Sequence, residues 1–243
     1  MDIYPFAQRQ FDEHLKSNRY PGRGLVIGRS DTEAAWLQIY WIMGRSASSQ
    51  NRRFVAVGPT LRTEPIDPKG IADPSLLIYE AMLELPGRYL VSNGDQTRTL
   101  YETLSADGTF EAAQAQRQRE PDAPHYTPRI TGLLTLLPDE QSLTLGILKA
   151  NPADAALTDR FSYRPALPPA GLGVGLTTYA GDGNPIPCFR GDPLLLPCKG
   201  SVEAVLHAYW EALNPEYRVA LAVKRIPNDG RASTILVRNR FDG

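Results

Sequence analysis

Apolar residues along this chain fall mostly in short runs closed off by Gly, Pro, Asn and Asp, which is the punctuation of β-strands. The first run, residues 24–28, follows the turn Pro21-Gly22-Arg23-Gly24, and a longer one carrying Trp36, Ile39, Trp41 and Met43 ends at Gly44. Val, Ile, Leu and Tyr predict further strands over residues 53–57, 75–80, 89–92, 129–137, 143–149, 174–179, 217–226 and 234–238. Several are apolar at successive positions, as strands covered on both faces are. Helical spacing is rarer. Ser201 is placed to cap a helix whose Val202, Val205, Leu206, Tyr209 and Leu213 share a face. Thr109 is placed to cap another over 110–119, stopped by Pro121, and shorter helices are predicted over 97–104 and 6–15. The helices are too scattered for a regular βαβ alternation, so the fold class is α+β. No repeat or low-complexity linker interrupts the 243 residues, which predicts a single domain over 1–243 with long ordered loops.

Composition narrows the partners. With 42% apolar and 22% charged residues the chain is globular rather than disordered. A formal net charge of −1 gives no basic excess for duplex phosphates, so nucleic acid is not an expected partner. The N-terminus carries acidic residues early and lacks the apolar run of a secretory signal, and the run over 34–43 is too short to span a bilayer. Cys188 and Cys198 do not make a disulfide framework and are expected as reduced thiols, which points to the cytoplasm.

Four segments concentrate chemistry. Residues 44–53, Gly-Arg-Ser-Ala-Ser-Ser-Gln-Asn-Arg-Arg, hold guanidinium forks and hydroxyls that suit phosphate oxygens, although the same run also reads as a polar hairpin loop. Residues 120–130 bring Glu120, Asp122, His125, Tyr126 and Arg129 together where a helix gives way to a strand, a grouping suited to acid/base work and equally to a proline-stiffened connection. Ser92-Asn93-Gly94-Asp95 opens a helix, and Gly181-Asp182-Gly183-Asn184 closes a strand; each alone is an ordinary turn. The glycines over 171–175 lead into a strand rather than a helix, so the dinucleotide-binding context is missing. No phosphate-binding P-loop or nucleophile elbow is present, and three scattered histidines lack metal-ligand spacing, so no metal is expected.

Taken in order, YPGRGLVIG, MGRSASSQNRRF, DPSLLIY, SNGDQT, EPDAPHYTPRITG and GDGNPIP resemble the PurO-type IMP cyclohydrolases, most closely the longer bacterial members, over about residues 20–187. The resemblance implies a four-layer αββα sandwich similar to that of the N-terminal nucleophile hydrolases. With Met1-Asp2 at the start of the sequence, the terminal nucleophile of that class is not expected. The implied reaction closes the ring of 5-formamidoimidazole-4-carboxamide ribonucleotide to IMP with loss of water, without cofactor or metal, in what is expected to be a homo-oligomer. Residues carried over by matching segments and chemical suitability are Tyr79 as donor or proton shuttle at the formyl oxygen, and Glu120 or Asp122 as the carboxylate acting on the carboxamide. Arg45 and Arg52 hold phosphate or developing charge, supported by Ser46, Ser49 and Asn51. Asn93, Asp95, Arg129 and Asn184 line base and ribose, and Arg23 and Tyr126 add further substrate contacts. One departure is the loop: four residues separate Ser46 from Asn51, where compact archaeal members are shorter, so the register is open by a position or two. Two other classes stay open: a paralogue acting on a different nucleotide or metabolite, and a non-catalytic purine-nucleotide binder.

Overall fold

The computed structural model describes residues 2–70 and 77–241. Its first half contains α1 (Ile3–Phe11), prolonged by a π-type turn over Asp12–Lys16, then β1 (Gly24–Arg29), β2 (Ala35–Met43), the single turn α2 (Ala47–Gln50), β3 (Arg52–Val57) and β4 (Thr60–Pro65). Next come β5 (Glu80–Leu85), β6 (Arg88–Ser92), α3 (Gln96–Ser105), α4 (Phe110–Ala115), β7 (Arg129–Leu137), β8 (Glu140–Ala150) and β9 (Thr158–Tyr163). The chain closes with β10 (Leu172–Thr177), β11 (Leu194–Pro197), α5 (Val202–Ala212), β12 (Arg218–Pro227) and β13 (Thr234–Asn239).

Among the described residues the strands form two sheets, ordered β11-β10-β1-β2-β12-β13 and β3-β4-β5-β6-β7-β8-β9, antiparallel throughout. This is a mixed structure with few helices, as the α+β expectation has it. The second sheet is a meander of consecutive strands, which needs no crossover helices. The two sheets lie face to face, and β2 shows how its sequence arranges this. All nine of its residues are buried. Alternate side chains point opposite ways: Trp41 packs on Tyr209 of α5, while Tyr40 stacks on Phe54 of β3 in the other sheet. Gln38, on the Tyr40 side, donates to the Tyr89 carbonyl of β6 at 2.9 Å. Close approach of the sheets demands Gly132, where a Cβ would sit 2.9 Å from Ile27. An ion pair also crosses between them: buried Lys224 of β12 reaches the partly exposed Glu84 of β5 at 2.5 Å. Helices α1 and α5 lie against the first sheet, and α3 and α4 against the second. No helix among the described residues is long and apolar enough to cross a membrane, and both cysteines are unpaired.

The helix caps lie where the sequence puts them. Thr109 accepts from the Ala112 N–H at 3.1 Å and Ser201 from the Ala204 N–H at 3.3 Å. Ser201→Ala is therefore expected to cost about 1 kcal/mol, a fall of roughly 2–4 °C in Tm for a chain of this size, read by calorimetry. An unmoved Tm would mean that the cap contributes nothing.

Three expectations need correction. The strand predicted over 75–80 begins where it was to end: β5 starts at Glu80, Leu77–Tyr79 form the approach to it, and Ser75 and Leu76 lie outside the described residues. A register shift between Leu61 and Arg62 makes the difference, with the Thr63 hydroxyl receiving the Tyr79 N–H at 2.9 Å. The helix capped by Thr109 ends at Ala115 rather than 119, because Arg119 turns to donate to the Ala155 carbonyl and to cover the Tyr126 ring. Strands β4, β9 and β11 are additional. The first and last end in proline, β9 and β11 are edges, and the exposed β9 carries little apolar alternation.

Candidate active site

Where the end of β2 meets the starts of β1, β3 and β7, the chain encloses a cavity of about 250 Å³. Its walls come from the turn before β1, the loop around α2, the loop entering β7 and the turn after β10. Of the residues expected from the sequence, Arg23, Arg45, Ser46, Ser49, Arg52, Glu120 and Asp122 line it together. Two stretches of sequence more than sixty positions apart thus meet in one chamber.

The α2 loop is built by reciprocal capping. Ser46 accepts from the Ser49 N–H at 3.1 Å and Ser49 Oγ from the Ser46 N–H at 3.0 Å, which satisfies two donors that a one-turn helix would leave free. This fold of the loop turns Arg52 inward. Its Nε donates to the Ser49 carbonyl at 2.9 Å and one Nη to the Met43 carbonyl at 3.4 Å. The other Nη has no partner among the described residues, and Arg52 is 1% exposed. Burial, then the neighbouring Arg23, lowers the pKa of this guanidinium. Arg45 differs: it donates to Asp182 at 2.6 Å and to the Gly183 carbonyl at 2.8 Å, with its plane over Tyr20.

Glu120 is 1% exposed and takes the Arg23 guanidinium on Oε1 at 2.8 Å. Its other oxygen has no partner among the described residues. Burial pushes its carboxyl up against the pull of Arg23. Asp122 knots the same loop: its carbonyl accepts from the His125 and Tyr126 N–H groups, and its carboxylate takes the Thr127 N–H at 2.7 Å and the Thr127 hydroxyl. His125 faces the cavity with Nδ1 accepting from the Ile186 N–H at 3.3 Å.

The remaining expected residues do not line this cavity. Tyr79 stands behind it, its hydroxyl 2.6 Å from that of Tyr40. Asn51 clamps Asp67 through a mutual pair of hydrogen bonds at 2.6 and 2.8 Å. Asn93 is fully buried, stitching the Pro128 carbonyl, the Ile130 N–H and Gln96. Asp95 is shared by Arg129, at 2.7 Å, and Arg117; Arg129 also donates to Gln96 at 2.7 Å, while its buried Nε has no partner among the described residues. Tyr126, at φ 44°, lies under Arg119, and Asn184 is exposed. Sequence reasoning passed over Tyr20, Gly22, Thr127 and Tyr179, which do line the cavity. Thr127 sat inside a segment already singled out, and Tyr179 ends a predicted strand just before the 181–187 turn; neither carries a charge to draw notice.

A family model described as IMP cyclohydrolase-like protein matches residues 20–230. The chain belongs to the IMP cyclohydrolase-like family. That span of the family match takes in every cavity residue from Tyr20 to Ile186. A comparison with curated proteins gives no match.

Proposed function

We propose that the protein is an IMP cyclohydrolase, closing 5-formamidoimidazole-4-carboxamide ribonucleotide to IMP and water. The observation that carries this, within the family, is Arg52: a buried guanidinium on a cavity wall, with no carboxylate of its own among the described residues and a donor left over. Such a charge is costly unless an anion completes it. A nucleotide phosphate or a developing oxyanion does so.

Ring closure needs the carboxamide nitrogen held against the formyl carbon. Positioning of two groups on one substrate supplies up to about 7–11 kcal/mol of the barrier. As the N–C bond forms, the π pair of the formyl group moves to its oxygen, where guanidinium donors are worth about 3 kcal/mol. Glu120 is the better placed carboxylate for the carboxamide proton, since both oxygens of Asp122 are taken by Thr127 while one of Glu120 is open. It then hands that proton to the formyl oxygen. Tyr79, behind the cavity wall with its hydroxyl held by Tyr40, serves in this reading as a shuttle rather than as a direct donor. The helix layers on the outer faces of both sheets support a four-layer arrangement of the N-terminal nucleophile hydrolase kind, and one apolar cluster running through both sheets supports a single domain.

The test is direct. Purified protein incubated with the formamido ribonucleotide, without added folate or ATP, is expected to produce IMP well above the uncatalysed rate. Binding of the nucleotide with no turnover would overturn the enzyme reading in favour of a nucleotide-binding protein.

A further inference from the structure

Closing this ring strips one proton from each of two nitrogens, and Glu120 accounts for only the first. In the same loop, whose Thr127 carbonyl accepts from the Glu120 N–H at 3.1 Å, Asp122 and Thr127 form a chain of three groups with Tyr179. The Tyr179 hydroxyl lies 2.6 Å from Thr127 Oγ1, and the Thr127 hydroxyl in turn meets Asp122 Oδ2. The chain has a direction. An ionised carboxylate only accepts, so Thr127 donates to Asp122 and its oxygen is left to accept from Tyr179. The backbone N–H of Thr127 on Asp122 Oδ1 at 2.7 Å fixes the carboxylate in that orientation. Tyr179 is equally fixed: its ring stacks on Tyr20 at 5.8 Å. Gly22, at φ +74°, makes room for it, since a Cβ there would lie 2.4 Å from the Tyr179 ring.

We propose that Tyr179, backed by Thr127 and Asp122, is the relay that takes the second proton, that of the formamido nitrogen, as water is lost. This rests on the ring-closure reading above. The C–O bond breaks with its pair on the departing hydroxide, and the N–H pair becomes the new C=N bond. The nitrogen's proton passes to the Tyr179 oxygen as Tyr179 passes its own to Thr127 and Thr127 passes its own to Asp122. Return of the proton along the same path neutralises the hydroxide to water and restores the carboxylate. Around the relay stand Arg23 and Tyr20 near Tyr179, Glu120 and Cys188 near Asp122, and His125 on the same wall. Burial pushes the Tyr179 phenol up, opposed by Thr127 and Arg23. A phenol so held works as a conduit, one proton in as another leaves, rather than as an ionised base.

Kinetics of Thr127→Val, Thr127→Ser and Tyr179→Phe in mixtures of light and heavy water test this. Thr127→Val is expected to lower kcat roughly three- to tenfold with KM little changed, the worth of one hydrogen bond in the relay. The dependence of its rate on deuterium fraction should straighten from the curve of several moving protons to the line of one, and Thr127→Ser should restore most of the loss and the curvature. Should Thr127→Val fail to fold, Tyr179→Phe gives the same readout, since it keeps the stacked ring and removes only the oxygen. Wild-type kcat and curvature in Thr127→Val, or Thr127→Ser as slow as Thr127→Val, would overturn the relay and leave the reaction standing. No ring closure by the wild type would remove both.

Discussion

Glu120→Gln should slow ring closure by at least about a hundredfold, the usual worth of a positioned acid/base group. Glutamine keeps an oxygen for the Arg23 guanidinium, so the 2.8 Å contact survives and the loss is that of the proton acceptor. The pH profile gives a second readout. Burial raises the wild-type carboxyl, with Arg23 and Arg129 pulling the other way. A base must be ionised, so the wild-type rate is expected to climb with pH through a range above the ordinary carboxylate values. In Glu120→Gln that limb should vanish from the residual rate. Unchanged kcat would take Glu120 out of the chemistry, and unchanged kcat with weaker nucleotide binding would make it a positioning group.

The second large effect is expected at Arg52. Its removal should weaken the ribonucleotide about tenfold to a hundredfold, the range for a charge-assisted hydrogen bond in a desolvated site. The unphosphorylated nucleoside should be nearly unaffected. Arg52→Lys keeps the charge in the buried space but loses the planar fork, so it should fall between wild type and Arg52→Ala. Arg45→Ala should do less, because Asp182 already occupies that guanidinium and it is partly open to solvent. Calorimetric titration of both ligands against the three variants decides it. Equal weakening of nucleotide and nucleoside would shift Arg52 to the base or to folding. No change in any variant would show that neither arginine holds the phosphate.

Local pattern carried far in this chain. The apolar runs at β1, β2 and β7 and the caps at Thr109 and Ser201 act through near neighbours, which is why sequence displays them. The charged part of the cavity was legible too, since guanidinium and carboxylate side chains announce themselves at Arg23, Arg45, Arg52, Glu120 and Asp122. Two things were not. One is which polar residues the fold consumes internally: Asn93 reads as a ligand contact, yet its side chain ties the end of β6 to Pro128 and Ile130 at the start of β7 and to Gln96 of α3. The other is pairing between uncharged groups remote in sequence. Thr127 and Tyr179 are 52 positions apart, and no local signal marks a hydroxyl that will meet another. Edge strands such as β9 escape for a related reason: with solvent beside them, their composition is free to look like that of a loop.

The burial of β2 on both faces bears on how such a chain can change its length. Tyr40 belongs to the chamber side of that strand and Trp41 to the side of α5, and the two are adjacent. Gain or loss of a single codon between Ala35 and Met43 would exchange those faces for every residue beyond it, sending an indole toward the chamber and a phenol under the helix. One frame-preserving event would then damage the core and the site at once. The connection between β8 and β9, residues 151–157, lies at the edge of the other sheet and does not border the cavity. Drift in length is thus closed at the centre of the molecule and open at its margin, and a lineage that lengthens this fold has to do so in its loops.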